Sequence, residues 1–284
     1  MAYALVALGS NLGSRAQTLD AALDELAQLP STRLIRRSGW YETPPIGGPA
    51  AQGAFLNGAA LMWTTLSPRS MLAALQQIEA KLGRVRAERW GARVIDLDLL
   101  LFDHCVIDES DFVAPHPRMA FRPFVLEPAA EAAPWMVDPT CGWTLQAMSA
   151  QLREGANVVA IAAESESRTE QWISRLAAEL GLSTTGNRPT GGDSPCVAPW
   201  NEYRQRPAAI RPRLILAFTG ETTEAAPARA AGNTANPWRT MLHLPQHGPI
   251  AWISSHSGVA PFTEASAAIQ AVWPALASNA PLSN

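Results

Sequence analysis

The order of apolar and helix-like segments in the first 102 residues constrains the fold more than any other feature of this 284-residue chain. Short apolar runs predict buried strands, and apolar residues spaced by three or four predict helices with one buried face. The resulting order is β-α-β-β-α-β, with strands at 2–8, 33–41, 55–64 and 94–102 and helices at 15–29 and from Ser67 onwards. Since this order is that of the ferredoxin-like arrangement, we predict an α+β domain with an antiparallel sheet.

Residues 156–284 have a different pattern and predict a second, smaller α/β domain, so the domains are expected to be 1–155 and 156–284. Strands are predicted at 158–163, 213–218 and 250–254, helices at 169–180 and 264–277, and loops at 183–212 and 220–237. The segment Ala162–Thr169 has the register of a P-loop with both glycines and the lysine replaced. Three interpretations stay open: a degenerate nucleoside-kinase-like scaffold or dimer-forming domain, an unrelated appendage, and a domain with its own activity.

Composition and charge argue against several classes of protein. Hydrophobic residues make up 47% and charged residues 17%, which suits a packed core, and the net charge of −3 does not indicate a nucleic-acid-binding surface. No run approaches the roughly 20 apolar residues of a membrane helix, and no basic signal segment precedes the first strand. The scattered Cys105, Cys141 and Cys196 suit a reducing compartment. We expect a cytoplasmic protein without membrane or nucleic-acid partners.

Two aspartates on one predicted strand form the strongest candidate for a chemical site. Asp96 and Asp98 flank Leu97, and alternation along a strand puts both carboxylates on the same face. Their repulsion calls for a hard cation such as Mg²⁺, which proteins hold with one or two carboxylates plus substrate phosphates. The four arginines of residues 83–93 suit phosphate oxygens. Together they indicate phosphoryl-type transfer from a nucleotide, although a solvated edge strand beside a solvated basic loop has the same pattern.

Three further segments suggest a site, and each also has a purely structural interpretation. His116 lies in a rigid loop between two prolines. It could donate a hydrogen bond to a phosphate, or it could be a histidine with only a structural role in the loop. The segment 41–45, with Phe55 and Asn57, suits a flat heterocycle, but Phe55 is equally typical of a core. The turn at Gly9–Gly13 resembles an anion-binding turn but lacks the lysine of a P-loop.

Taken together, these segments closely resemble the 6-hydroxymethyl-7,8-dihydropterin pyrophosphokinase family of folate biosynthesis. The resemblance covers about residues 1–150. It rests on eight short motifs in order: Gly9–Gly13, Tyr41–Pro45, Phe55–Asn57, Gln76–Glu79, Gly83–Arg86, Arg89–Arg93, Asp96–Asp98 and Pro115–Arg118.

The resemblance implies a ferredoxin-like enzyme that transfers pyrophosphate from ATP to the hydroxymethyl oxygen of the pterin. It implies that Asp96 and Asp98 hold two Mg²⁺ ions and act in catalysis with Arg84 and Arg93. The pterin pocket would be formed by Thr43, Pro45, Ile46, Phe55, Asn57 and Phe124, with the two phenylalanines stacking on the ring. The ATP side would be formed by Gln76, Glu79, Arg86, Trp90, Leu99, His116 and Arg122. Partners would be these small molecules, with a homodimer through the second domain as a further possibility.

Some positions depart from the family pattern. Ala92 stands where proline is common, Pro117 stands where other members carry an aromatic, and Glu42 places an acid near the pterin loop. The loop between Arg86 and Arg89 also looks short. Because both aspartates and His116 are retained, we expect an active enzyme. A catalytically silent pterin or nucleotide sensor and an interaction scaffold are the competing hypotheses.

Overall fold

A computed structural model describes residues 1–46, 52–84, 91–163, 165–184, 195–203, 211–219, 250–254 and 260–274. The chain divides into two compact units, Met1–Ser149 and Ala150–Asn284. The division falls inside a helix and a few residues before the predicted boundary at 155, which stays a prediction. Within the described ranges, no helix is both long and apolar enough to span a membrane.

The first unit is built on the predicted β-α-β-β-α-β order. Its main elements are β1 (Ala2–Ser10), α1 (Arg15–Ala27), β2 (Thr32–Arg37), β3 (Tyr41–Thr43), β4 (Phe55–Thr64), α2 (Pro68–Lys81) and β5 (Asp96–Phe102). The sheet order is β2-β4-β1-β5, β3 also pairs with β4, and all neighbours are antiparallel. This topology confirms the ferredoxin-like α+β prediction.

The predicted second strand, 33–41, is divided into β2 and β3. At the break, the Ser38 hydroxyl accepts a hydrogen bond of 2.9 Å from the Ala59 amide, so a side chain takes the place of a ladder carbonyl. The Trp40 ring then occupies space beside Gly58, where a Cβ would lie only 2.3 Å from the ring. These contacts come from strand β4, and nothing in the 33–41 segment itself predicts them.

Helices α1 and α2 cover one face of the sheet. Ser67 caps α2 by accepting a hydrogen bond of 3.1 Å from the Ser70 amide, and Pro68 occupies the first turn. Leu97 and Leu99 of β5 pack into the core beneath α1 and α2. Since side chains alternate along a strand, Asp96 and Asp98 lie on the opposite face, as predicted.

The rest of the first unit lies after β5. It contains the hairpin of β6 (Ile107–Asp108) with β7 (Val113–Ala114), α3 (Pro123–Ala132), the hairpin of β8 (Val137–Asp138) with β9 (Trp143–Thr144), and α4 (Leu145–Glu154). The β7 strand leads directly to the His116 loop, and α3 begins beside Phe124. These elements therefore bring the later sequence motifs to the sheet.

The second unit is a five-stranded parallel sheet with helices. Its elements are β10 (Ala156–Ala162), α5 (Glu166–Leu180), β11 (Ser183–Thr184), β12 (Cys196–Pro199), β13 (Pro212–Thr219), β14 (Ile250–Ser254) and α6 (Pro261–Val272). The strand order is β11-β12-β10-β13-β14. This sheet confirms the prediction of an α/β second part.

Three details of the second unit differ from the sequence prediction. The strands β11 and β12 lie inside the stretch that was predicted as a loop. The sequence did not indicate them because both are short and β12 ends at a proline. Helix α5 starts at Glu166 rather than 169, since Ser165 caps it by accepting from the Arg168 amide at 3.3 Å. Helix α6 ends at Val272, shortly before Pro274. The predicted loop at 220–237 lies outside the described residues.

Candidate active site

A row of three residues across adjacent strands brings the two predicted halves of the site together. Gly9 of β1 pairs with Asn57 of β4 on one side and with Asp96 of β5 on the other. A Cβ on Gly9 would lie 3.1 Å from Asn57 Oδ1 and 3.9 Å from Asp96 Cβ, so only glycine fits between them comfortably. The residue expected to read the pterin and a residue expected to hold the metal are therefore separated by one strand.

Asp96 is surrounded by the predicted catalytic arginines. Arg84 Nη1 lies 2.6 Å from Asp96 Oδ1, and Arg93 forms a second ion pair with the same carboxylate. Arg84 is also paired with Glu79 of α2. Two guanidinium groups are thus held at the start of β5 by acidic side chains, at a place suited to receive phosphate oxygens.

Glu79 is a buried acid that holds other residues of this cluster in place. Its side chain is almost inaccessible, and its Oε1 accepts a hydrogen bond of 2.7 Å from the Leu97 amide. Burial raises the pKa of Glu79, while the Leu97 amide and the positive charge of Arg84 oppose that rise. Glu79 therefore fixes Arg84 relative to the strand that carries both aspartates.

His116 lies next to Asp98. The Nε2 atom of His116 is 3.8 Å from Asp98 Oδ2, and its Nδ1 accepts a hydrogen bond of 3.2 Å from the Arg118 amide. Burial lowers the pKa of His116, and the nearby charges of Arg122 and Arg118 lower it further against the effect of Asp98. The lowered pKa favours the neutral imidazole, in which Nε2 carries the proton because Nδ1 accepts from the Arg118 amide.

Arg122 provides a further positive charge on this side. Burial lowers its pKa to about 10, so the guanidinium stays charged at neutral pH. It lies over the ring of Phe124, with 5.6 Å between the guanidinium carbon and the ring centroid. One residue of the predicted ATP side and one of the predicted pterin pocket are therefore in contact at the start of α3.

The predicted pterin residues lie on β3, β4 and the start of α3. Asn57 is 8% exposed and donates through Nδ2 to Thr43 Oγ1 at 2.8 Å, and Thr43 is paired with Phe55 in the strand register. Phe55 and Phe124 are each half-buried, as expected of rings that keep a face available. The pocket residues Pro45 and Ile46, which follow β3, are also half-buried.

Helix α3 is tied to the β3 segment by a carboxylate. Glu131 accepts hydrogen bonds from the Tyr41 hydroxyl at 2.7 Å and from the Gly39 amide at 3.2 Å. Because α3 carries Phe124 at its other end, this contact fixes the two walls of the predicted pocket against each other.

Other predicted residues are less closely connected to this cluster. Gln76 is exposed on α2, and Leu99 is buried in the core between the sheet and the helices. Arg86 and Trp90 lie outside the described residues. The assignment of these four residues to the ATP side stays a prediction.

The role of Asn11 was missed by sequence reasoning, which considered only anion binding for its turn. Asn11 Oδ1 accepts from the Arg93 amide at 2.7 Å, and the Asn11 amide donates to the Arg93 carbonyl at 3.1 Å. Its side-chain amide also reaches Gln52 and the Gly53 carbonyl. A buried asparagine directly after a strand was the available signal, but its partners lie far away along the chain.

Comparison with known proteins decides the family. Residues 5–134 match the family described as 7,8-dihydro-6-hydroxymethylpterin-pyrophosphokinase (HPPK). A relative from Pseudomonas aeruginosa, named 2-amino-4-hydroxy-6-hydroxymethyldihydropteridine pyrophosphokinase, is 48% identical over 129 residues, which are 45% of this chain and 79% of the relative. A relative of the same name from Synechocystis sp. is 41% identical over 142 residues, or 50% and 72% of the two chains. The chain belongs to the HPPK family.

Every residue assigned above to the pterin, ATP or metal site lies inside the matched range 5–134. Among solved structures, Plasmodium falciparum HPPK-DHPS is similar over 79% of this chain, with 12% identity and a TM-score of 0.43. That similarity spans 57% of the Plasmodium chain, less than two thirds of it. The HPPK family match ends well before the second unit begins.

Proposed function

We propose that the chain transfers pyrophosphate from ATP to 6-hydroxymethyl-7,8-dihydropterin in folate biosynthesis, releasing AMP. Family membership supports this activity, and the observation that carries it is the Asn57–Gly9–Asp96 row. In this row, the Asn57 amide, which can hydrogen-bond the polar edge of the pterin, lies one strand away from Asp96, whose carboxylate can bind the metal ions of the triphosphate. Such closeness is what transfer between two bound substrates requires.

The arginines and His116 bind and orient the triphosphate. In phosphoryl transfer the protein has little covalent chemistry to do and acts mainly by alignment and charge stabilisation. Arg84 and Arg93 exchange part of their contact with Asp96 for phosphate oxygens, while Glu79 keeps Arg84 in place. His116 donates from Nε2 to another phosphate oxygen, and Arg122 adds positive charge.

Asp96 and Asp98 are the proposed ligands of two Mg²⁺ ions. Their side chains share one face of β5 and are 21% and 42% exposed. Both Asp96 oxygens are paired with Arg84 and Arg93 in this structure, so Asp96 would receive a metal ion as those arginines turn to the phosphate oxygens. Carboxylate oxygens are the donors that Mg²⁺ prefers, and one or two per ion suffice when phosphates complete the coordination. When bound, the ions would offset the negative charge of the triphosphate and favour the deprotonated form of the attacking alcohol. The residues present therefore fit the metal that the family implies.

The pterin side positions the acceptor alcohol. Asn57 reads the polar edge of the ring, and Thr43 holds the Asn57 amide in one orientation through the 2.8 Å hydrogen bond. Phe55 and Phe124 supply aromatic faces from β4 and α3. The contact between Glu131 and Tyr41 holds α3, which carries Phe124, against the β3 segment.

For the second unit we propose a scaffolding or dimer-forming role without phosphate transfer. The start of α5 supports this proposal because the Ser165 hydroxyl already occupies the Arg168 amide, and Glu166 adds a negative charge in the first turn. Helix N-termini that bind phosphate need free amides and no competing acid. We place the whole protein in the cytoplasm, where ATP is supplied and where Cys105, Cys141 and Cys196 stay reduced.

The decisive experiment is an assay of AMP release by the full chain, with and without hydroxymethyl-dihydropterin. We expect release that depends on the pterin, on ATP and on Mg²⁺. A chain that binds pterin or ATP without releasing AMP would instead support the silent sensor. Full activity of a chain ending at residue 155 would make the second unit dispensable for the chemistry.

A further inference from the structure

Arg15 is an unusual first residue for a helix. It opens α1 with a positive charge, no acid lies in the first turn of this fully described helix, and the Ser14 side chain makes no capping hydrogen bond. A cation at a helix N-terminus opposes the helix dipole, and serine normally stabilises that end by capping it. Residues that break such local rules are often held by contacts elsewhere in the fold.

The Arg15 guanidinium contacts both stems of the connection between β3 and β4. Its Nη1 donates to the Ala54 carbonyl at 2.7 Å, and its Nη2 lies 2.8 Å from Glu42 Oε1. A planar guanidinium can bind two acceptors at once in a fixed geometry, which lysine cannot reproduce. We call these two contacts the Arg15 clamp.

The register of β3 shows that Glu42 acts through Arg15 rather than on the pterin. Tyr41 is paired with Asn57, and Thr43 is paired with Phe55. Because side chains alternate along a strand, Glu42 points to the face opposite Thr43 and away from the proposed pocket. The position of the Glu42 carboxylate is therefore explained by its ion pair with Arg15.

Both contacts of the clamp lie one residue from the proposed pocket. Glu42 directly precedes Thr43, and Ala54 directly precedes Phe55. We propose that Arg15 is a positioning residue that holds the two stems together, so that Thr43 and Phe55 are already placed when the pterin arrives. This role rests on the proposed function, since it assigns those two residues to the pterin.

The expected effect is on pterin recognition alone. Without the clamp, the two stems separate part of the time. The apparent affinity for pterin is then the intrinsic affinity multiplied by the fraction of time in which the pocket is formed. The Arg15 and Glu42 side chains are 31% and 61% exposed, so the ion pair is weak and the effect moderate. We expect Arg15→Ala to raise the KM for pterin about five-fold and to leave kcat and the KM for ATP almost unchanged.

Steady-state kinetics on the full chain test this role with Arg33→Ala as the matched control, because Arg33 is an exposed arginine on β2. Arg33→Ala should leave all constants unchanged. Glu42→Ala should raise the pterin KM less than Arg15→Ala, and the double variant should be no worse than Arg15→Ala, because partners of one contact are not additive. Additive effects of the two substitutions, or equal falls in kcat and in affinity for both substrates, would overturn the positioning role.

Hydrogen exchange separates failure of the clamp from failure of the proposed function. In the free protein, amides of residues 53–57 should exchange faster in Arg15→Ala than in wild type or Arg33→Ala. If wild type releases no AMP, the proposed function is wrong, and unchanged exchange would then show that the clamp is wrong as well. Faster exchange with an unchanged pterin KM would overturn the positioning role.

Discussion

Both units of this chain are sheets covered by helices, but they differ in where polar side chains are buried. In the first unit, Asn57 of β4 and Glu79 of α2 are buried near Asp96, which begins the edge strand β5. In the second unit, the buried residues of β10, β12 and β13 are apolar, such as Ala160, Ala198 and Ala217, and the buried acid Glu264 lies on α6 instead. Burying polar groups costs stability unless each is paired, and Asn57 and Glu79 are paired with Thr43 and Arg84.

The unit with the proposed catalytic site therefore differs from the second unit in particular side chains more than in the layering of sheet and helices. An open parallel sheet commonly binds ligands at the carboxyl ends of its strands. Here the helix that follows β10 begins with its own serine cap and an acid, whereas the first unit has two arginines paired with Asp96 at the start of β5. Function therefore follows from particular side chains placed on each fold.

The largest expected effect is the loss of turnover in Asp96→Ala. This substitution removes a proposed metal ligand and an ion-pair partner of Arg84 and Arg93, and we expect kcat to fall at least about a hundredfold while the fold persists. The matched control is Asp24→Ala, an exposed aspartate on α1, which should turn over normally. Near-normal activity of Asp96→Ala at saturating Mg²⁺ would refute the role of this carboxylate.

A buried charge in each unit tests whether only the first is needed for chemistry. Ala59→Asp and Ala198→Asp each place a carboxylate in a site that is at most 1% exposed, at a cost of at least about 3 kcal/mol. We expect Ala59→Asp to abolish turnover and Ala198→Asp to disrupt the second unit while turnover continues. Circular dichroism and the AMP assay measure both. Loss of activity in Ala198→Asp would break the proposed division of labour.

A smaller effect is expected from closing the space at Gly9. In Gly9→Ala the new methyl group meets Asn57 Oδ1 at 3.1 Å, so the amide must shift, and we expect the pterin KM to rise about tenfold. Gly39→Ala is the control, since its Cβ meets nothing closer than 4.0 Å. If both variants bind pterin equally well, the Asn57–Gly9–Asp96 row is not the reading edge.

The smallest effect is a difference in thiol reactivity. Cys105 is exposed, Cys196 is buried, and burial raises the pKa of Cys141 to about 12. At pH 8 we expect iodoacetamide to modify Cys105 at least about tenfold faster than the others. Ala198→Asp should accelerate only Cys196, which lies in its own unit. Acceleration of Cys141 in that variant would show that the two units do not unfold separately.

Sequence reasoning predicted the parts of the molecule that depend on local pattern. The strands Phe55–Thr64 and Ile250–Ser254 were predicted with their observed bounds, and the common face of Asp96 and Asp98 follows from alternation alone. The short strand Cys196–Pro199 was missed because four residues carry little periodic signal.

The features that could not be predicted depend on partners far apart in the chain. At the break in the second strand, the Ser38 hydroxyl accepts from the Ala59 amide. Asn11 accepts from the Arg93 amide, and Arg15 donates to the Ala54 carbonyl. No local preference identifies such pairs, and Arg15 even contradicts the local preference of its helix. The residues of the proposed site come from sequence motifs and their roles stay predictions, whereas the contacts around them required the structure.

A Mn²⁺ titration followed by electron paramagnetic resonance tests whether Asp96 and Asp98 hold the metal ions. The full chain would be titrated together with pterin and a non-hydrolysable ATP analogue, since Mn²⁺ replaces Mg²⁺ at oxygen sites. We expect two bound ions per wild-type chain and the loss of both tight sites in the double variant Asp96→Asn and Asp98→Asn. Unchanged stoichiometry and affinity in that variant would show that these carboxylates are not the metal ligands.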